Sequence, residues 1–109
     1  MMVTINEFSS IDLRIGRILE VKDHEGSRKP MYIIKVDLGE LGVRTIVAGI
    51  KGIYSKEELE NTNIVVVANL EPKSVAGVVS EGMLLAAEEG DKIVLIRPDK
   101  DIAPGSKIH

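Results

Sequence analysis

The most constraining stretch of the chain runs from Ile64 to Ala87. The apolar run Ile64-Val65-Val66-Val67-Ala68 is short, β-branched and without polar alternation, which predicts a strand buried on both faces. That strand has to stop early, because Pro72 lacks an N–H and cannot continue a central ladder. Gly77 and Gly82 are further breaks, with Val78-Val79 a short extended piece between them and Met83 to Ala87 apolar enough to be buried again. The segment therefore reads as strand, turn, short strand, bulge, strand. A chain folded this way is built from many short strands, not from helices.

The preceding residues agree. From Ile11 the apolar positions alternate through Leu13 and Ile15 and slip by one at Gly16 before Ile18, which predicts a β-bulge in a strand ending near Asp23. Ser9 or Ser10 would cap a short helical lead-in ahead of it. His24 to Pro30 is a polar loop punctuated by Gly, Ser and Pro. Met31 to Leu38 places Tyr32, Ile34, Val36 and Leu38 on one face and Lys35 and Asp37 on the other, a second strand. Gly39-Glu40-Leu41-Gly42 is a turn with two glycines free to take positive φ, and Val43 to Ile50 is a third strand. Ser55, followed three residues later by Glu58, has capping-box spacing and opens a short helix. Lys92 to Ile96 is another apolar strand after the turn Glu88-Glu89-Gly90-Asp91. The tail keeps Ile102 and Ile108 despite Pro98 and Pro104, which predicts that it docks. This pattern predicts an all-β fold: a five-stranded Greek-key OB-fold barrel, one short helix between strands three and four, and a docked C-terminal tail.

With 109 residues the chain has room for one core, so residues 1–109 are expected to form a single domain. No run approaches the roughly 20 apolar residues of a membrane helix, and no basic segment precedes an apolar one at the N-terminus, so the expected location is cytoplasmic with no membrane partner. There is no cysteine, hence no disulfide or thiolate chemistry. His24 and His109 stand apart, the pairs Glu57-Glu58 and Glu88-Glu89 fall in a helix start and a turn, and the glycines do not have phosphate-loop spacing. No enzyme activity, cofactor or metal is expected; binding is the function class that remains.

Charge narrows what is bound. The formal net charge is −3, but eight of the 14 basic residues lie between Arg14 and Lys51 against five acidic ones, so a local basic face is compatible with an acidic whole. OB barrels hold single strands by stacking bases on aromatic side chains over a positive groove. With one Phe and two Tyr, stacking is limited and phosphate contacts and RNA shape would dominate. The cations placed for such contacts are Arg14, Lys35, Arg44, Lys51 and Lys73. Each also has a plain reading as a solvated strand or loop charge.

Asn69-Leu70-Glu71-Pro72-Lys73, then Gly77, then Ser80-Glu81-Gly82-Met83-Leu84-Leu85-Ala86-Ala87 resembles the signature of the tRNA-binding OB-fold domain family. That family includes domains of methionyl-tRNA synthetases, free-standing tRNA-binding proteins and CsaA-like export chaperones. The resemblance implies a tRNA or structured-RNA site at Asn69, Lys73, Ser80 and Met83, added to the cations above, in a protein either free-standing or associated with a methionyl-tRNA synthetase. Singly, Asn69 reads as a turn residue, Gly82 as a bulge glycine and Met83 as a core gap-filler. Glu71, Ser74, Val75, Ala76 and Val79 stand where tight tRNA binders carry Lys or Arg, so the resemblance implies a modest grip on phosphate.

Ala76-Gly77, Ser80-Glu81, Ser27 to Pro30, Leu38 to Gly42 and Pro98 to Ile108 resemble instead the CsaA-like branch. That implies the alternative of a chaperone holding unfolded preprotein in a groove with Met83, Ser80 and Tyr32. In both branches the resemblance points to a homodimer, with Ile5, Phe8, Ile102 and Ile108 expected at the interface. A dimeric adaptor for another protein is a third reading.

Overall fold

The computed structural model describes residues 1–109. Strands β1 (Leu13–Asp23), β2 (Tyr32–Asp37), β3 (Val43–Ala48), β4 (Asn63–Val67) and β7 (Met83–Leu84) lie in the order β3-β2-β1-β4-β7 with every pairing antiparallel. The sheet curls until β3 meets the chain just ahead of β7, giving the expected five-stranded barrel. Helix α2 (Lys56–Leu59) connects β3 to β4, and Leu59 is fully buried in the core. Its expected capping box is present: the Ser55 hydroxyl accepts from the Glu58 N–H at 3.2 Å, and the Glu58 carboxylate accepts from the Ser55 N–H at 2.8 Å.

Alternation decides which faces meet. Tyr32, Ile34 and Val36 point into the core with Ile18, Ile46, Ile64 and Val66, while Ile33, Lys35 and Asp37 face outward. In β4 the residues Ile64 to Val67 are all buried, as its unbroken apolar run predicts.

Strand β1 differs from its expected form. The bulge is at Leu19, where the register against β2 shifts between Ile18 and Glu20, and β1 passes Gly16 in regular pairing with β4. The apolar slip at Gly16 has another cause. By alternation Leu13 and Ile15 lie on the face of β1 opposite to Ile18; Ile15 is buried there outside the main core cluster, and Ile18 lies on the core face. Gly16 shares that core face, and a Cβ there would stand 2.5 Å from Val36 Cγ1 and 3.0 Å from Val66 Cγ2. The glycine admits close packing, and the bulge falls three residues later.

Helix α1 (Ile5–Ser9) is capped by Thr4, whose hydroxyl accepts from the Glu7 N–H at 3.1 Å while Glu7 accepts from the Thr4 N–H at 2.9 Å. Ser10 ends this helix and Ser9 is its last residue, so neither is the N-cap expected of them. Their hydroxyls bond back to the Glu7 and Ile5 carbonyls.

Beyond β4 the chain forms a hairpin of β5 (Lys73–Val75) and β6 (Val78–Ser80), turning through Ala76 at φ 48° and Gly77 at φ 88°. Two consecutive positive φ values are the mark of a type I′ hairpin. Met83 to Ala87 is not buried again: Met83, Ala86 and Ala87 are exposed and Leu84 and Leu85 half-buried. The ladder of β7 against β4 spans two residue pairs, after which β8 (Ala86–Glu89) leaves the barrel to pair with β9 (Lys92–Leu95). Leu95 re-enters the core, its N–H donating to the Tyr54 hydroxyl at 3.0 Å.

The tail docks as expected. Strand β10 (Lys107–Ile108) pairs with β1, the Ile15 N–H donates to the Ser106 carbonyl at 2.9 Å, and the Gly105 N–H to the Ile15 carbonyl at 2.7 Å. Gly105 at φ 86° and Gly39 at φ 62° make the closest approach. A Cβ on either would come within 2.5 Å of the other segment's carbonyl oxygen, of Leu38 or of Pro104.

Candidate nucleic-acid interface

The barrel closes unusually between β3 and the end of β6. The Glu81 N–H donates to the Thr45 carbonyl at 2.7 Å, but the Thr45 N–H is met by the Glu81 carboxylate at 3.1 Å and the Val47 N–H by the Ser80 hydroxyl at 3.0 Å. Side chains substitute for a strand ladder, and the seam is left open on its outer side. Gly82, at φ 137°, lets the chain pass against the Val67 carbonyl, where a Cβ would stand at 2.9 Å.

Over this seam lies a groove of about 570 Å³ lined by Val47, Leu70, Glu71, Lys73, Val75, Ser80, Gly82 and Met83. Leu70 and Met83 are 44% and 48% exposed, so the groove wall is apolar and wet. Lys73 and Glu71 contribute opposite charges, and neither takes part in an ion pair of the chain. The hairpin forming one wall is held from outside by buried His24, whose Nε2–H donates to the Val75 carbonyl at 2.8 Å. The loop after β1 is thus tied to the β5–β6 hairpin through this one bond.

Of the residues expected at the site, Lys73, Ser80 and Met83 come together here. Ser80 is buried and its hydroxyl is already engaged by the Val47 N–H and the Gly82 carbonyl. Asn69 precedes the groove and ties the N-terminal segment to the end of β4: its Oδ1 accepts from the Asp12 N–H at 2.8 Å and its Nδ2 donates to the Ser10 carbonyl at 2.7 Å. The remaining cations do not line the groove. Arg44 donates to the Ala68 carbonyl at 3.0 Å, and Lys35 to the Thr45 hydroxyl at 2.8 Å. Arg14 holds Asp12 at 2.7 Å and the Gly105 carbonyl at 3.1 Å, and the hydrogen bond to Asp12 holds its guanidinium above the usual range. Lys51 and Lys56 flank Asp23 at 3.3 and 3.2 Å and, Lys56 first, push its carboxyl below the usual range.

Tyr32, expected in a peptide groove, is 4% exposed and donates to the Tyr54 carbonyl at 2.8 Å. Its inward direction follows from the alternation of β2, which removes it from any surface site. Val47, Leu70, Glu71, Glu81 and His24 are not among the residues expected at the site, although each lies in a stretch already read from the sequence. Val47 was legible as the outward residue between Ile46 and Ala48, and Leu70-Glu71 as the turn ahead of Pro72; the seam bonds of Glu81 and the His24 latch depend on contacts across the barrel.

A second, smaller groove of about 150 Å³ gathers Ile5, Phe8, Ser9, Ile11, Lys107, Ile108 and His109. Ile5, Phe8 and Ile108 meet there, with Ile5 75% exposed. Ile102 is exposed but not part of this wall. No group of His, Cys, Asp or Glu side chains is arranged to hold a metal ion, and no helix is long and apolar enough to cross a membrane.

The family model described as "Putative tRNA binding domain" matches residues 13–107. Methionine–tRNA ligase of Pyrococcus furiosus is 55% identical over 107 residues, covering 98% of this chain but 14% of that protein, so the chain spans about one-seventh of this curated relative. Among solved structures, the CsaA chaperone protein of Picrophilus torridus is 41% identical with a TM-score of 0.92, covering 99% of this chain and 100% of that one. A methionyl-tRNA synthetase-related protein of Pyrococcus horikoshii is 32% identical with a TM-score of 0.90, covering 100% and 99%.

Proposed function

The chain belongs to the tRNA-binding domain family, and on that premise we propose that residues 1–109 form one non-catalytic binding module for tRNA or structured RNA. The observation that carries this reading is the seam groove: all its lining residues fall inside the family match, and its cation, Lys73, is free of internal partners. Contacts from a few cations give sequence-independent, salt-sensitive affinity, suited to recognising the shape of a folded RNA. The 55% identity to a methionine–tRNA ligase supports action beside such an enzyme, and with it a cytoplasmic site of action. The exposed Ile5 and Phe8, beside half-buried Ile108, support assembly with a second copy, which would double the charged surface available to one RNA.

A second reading has its own support. The solved CsaA chaperone matches this chain over its full length, and Val47, Leu70, Val75 and Met83 make half of the groove lining apolar. In this reading the groove holds an unfolded preprotein segment.

Titrating labelled tRNA and an unfolded peptide across a salt series separates the two. RNA binding should weaken with a log–log slope of roughly −0.7 to −0.9 per phosphate neutralised, whereas an apolar peptide site responds little or strengthens. Lys73→Glu should weaken RNA binding alike for all sequences. Met83→Asp should abolish peptide binding, with a melting curve to exclude unfolding. Undetectable tRNA binding at low salt with peptide binding that survives high salt overturns the RNA reading in favour of the chaperone.

A further inference from the structure

Glu71 is difficult to explain in a groove meant for phosphate alone. It lines the same wall as Lys73, yet no ion pair joins them. An acidic side chain there weakens attraction for any polyanion, unless its oxygens meet a donor that the ligand carries. We propose that the groove accepts one unstacked guanine of the RNA, with Glu71 as the residue that specifies the base. This rests on the RNA reading above and deepens it.

The argument is one of donors and acceptors. An ionised carboxylate only accepts hydrogen bonds, through two oxygens side by side. Among the four bases, guanine alone presents two adjacent donors on its Watson–Crick edge, N1–H and the N2 amine, matching both oxygens. Adenine and cytosine set one amine beside a ring nitrogen lone pair, and uracil sets one N–H between two carbonyls; each places negative density against a carboxylate oxygen. Lys73, a donor with no acceptor capacity, suits the phosphate of the same or the next nucleotide. Leu70, Val47 and Met83 supply the apolar walls for the faces of the ring, the Met83 thioether being suited to aromatic contact. At about 570 Å³ the groove is in the size range of small-ligand sites. Unpaired bases in loops and bulges are the usual targets of base-specific RNA recognition, since their edges are free.

The test uses hairpin RNAs identical except for one unpaired loop nucleotide, G, A, C, U or inosine, titrated at low salt against the wild-type chain, Glu71→Gln and Lys73→Gln. A well-made bidentate contact discriminates by roughly 5- to 150-fold, and a wet groove places the expectation near fivefold in favour of G. Inosine, which lacks the N2 amine, should fall between G and the others. Glu71→Gln should lose the preference for G and move toward A, whose edge matches an amide, with the melting temperature retained. Lys73→Gln should weaken all five RNAs by one common factor and leave their ranking intact. If wild type binds all five equally, the guanine assignment fails while the RNA reading stands. If no RNA binds but an unfolded peptide rich in arginine does, both fall, and Glu71 serves a guanidinium in a chaperone groove instead.

Discussion

Asn69 and Ser80 show how a residue in a recognition motif can be spent on architecture. Both amide atoms of Asn69 are bonded across the chain, to Asp12 and Ser10. Asn69→Ala should cost about 1–2 kcal/mol, two exposed hydrogen bonds at the usual net value, and should speed amide exchange at Asp12 before it changes the groove. Ser80→Ala removes the hydroxyl that answers the Val47 N–H. A buried N–H left without a partner costs about 1–3 kcal/mol. Urea denaturation should therefore show a lower midpoint for Ser80→Ala than for Ser74→Ala, whose side chain is exposed; equal midpoints would remove Ser80 from the seam. Met83 lies at the other extreme. Its type suggests core, but at 48% exposure it belongs to the groove.

At the scale of elements, the short helices depend on their ends. Four or five residues cannot hold a helix by propensity, so capping and tertiary contact decide. Ser55→Ala should destabilise the protein by about 1 kcal/mol in thermal melts. Part of the acid limb of stability is expected to come from the same place. The Ser55 backbone N–H holds the Glu58 carboxyl below the usual range, and Lys56 and Lys51 do the same for Asp23. A carboxyl lowered in the folded state binds its proton more readily in the unfolded chain. Its contribution is therefore complete above the ordinary carboxylate range and is lost as pH falls below about 4 through the lowered values. Asp23→Asn with Glu58→Gln should flatten the fall in melting temperature over that window and lower the melting temperature at pH 7; an unchanged acid limb would assign it to other carboxyls. On β1, Gly16→Val should destabilise by about 1–3 kcal/mol, since the added atoms meet Val36, Val66 and Leu38 at once.

For the molecule as a whole, the tail and the turn after β2 form one joint at Gly39 and Gly105. Gly105→Ala introduces both a disfavoured φ and a contact with the Leu38 carbonyl at 2.5 Å. It should release β10, exposing the Ile15 amide to exchange and dismantling the groove where Ile108 faces Phe8. If that groove receives a second copy, Ile5→Asp should give a monomer by light scattering at micromolar concentration while the melting curve is kept, because Ile5 touches little of its own chain. A monomeric wild type under the same conditions would remove the dimer.

Local chemistry determined much of this protein from the sequence alone. The period-two pattern from Tyr32 to Leu38, the turn glycines Gly39 and Gly42, the capping box at Ser55 and the unbroken run Ile64 to Val67 each act within a few residues, so the barrel and its helix were legible. What the pattern left open lay between segments far apart in sequence. Gly16 resembled a bulge because apolar residues on both faces of β1 cannot be distinguished from a register slip until both faces are seen to be buried at Ile15 and Ile18. Met83 to Ala87 resembled a buried strand because composition does not reveal where a sheet runs out of partners. Thr4-Ile5-Asn6-Glu7 carried the same capping signature as Ser55 to Glu58 and was equally readable. The groove itself was decided by tertiary structure. It exists because Ser80 and Glu81, remote in sequence from Thr45 and Val47, close the barrel with side chains and so leave Lys73 and Glu71 facing an open seam.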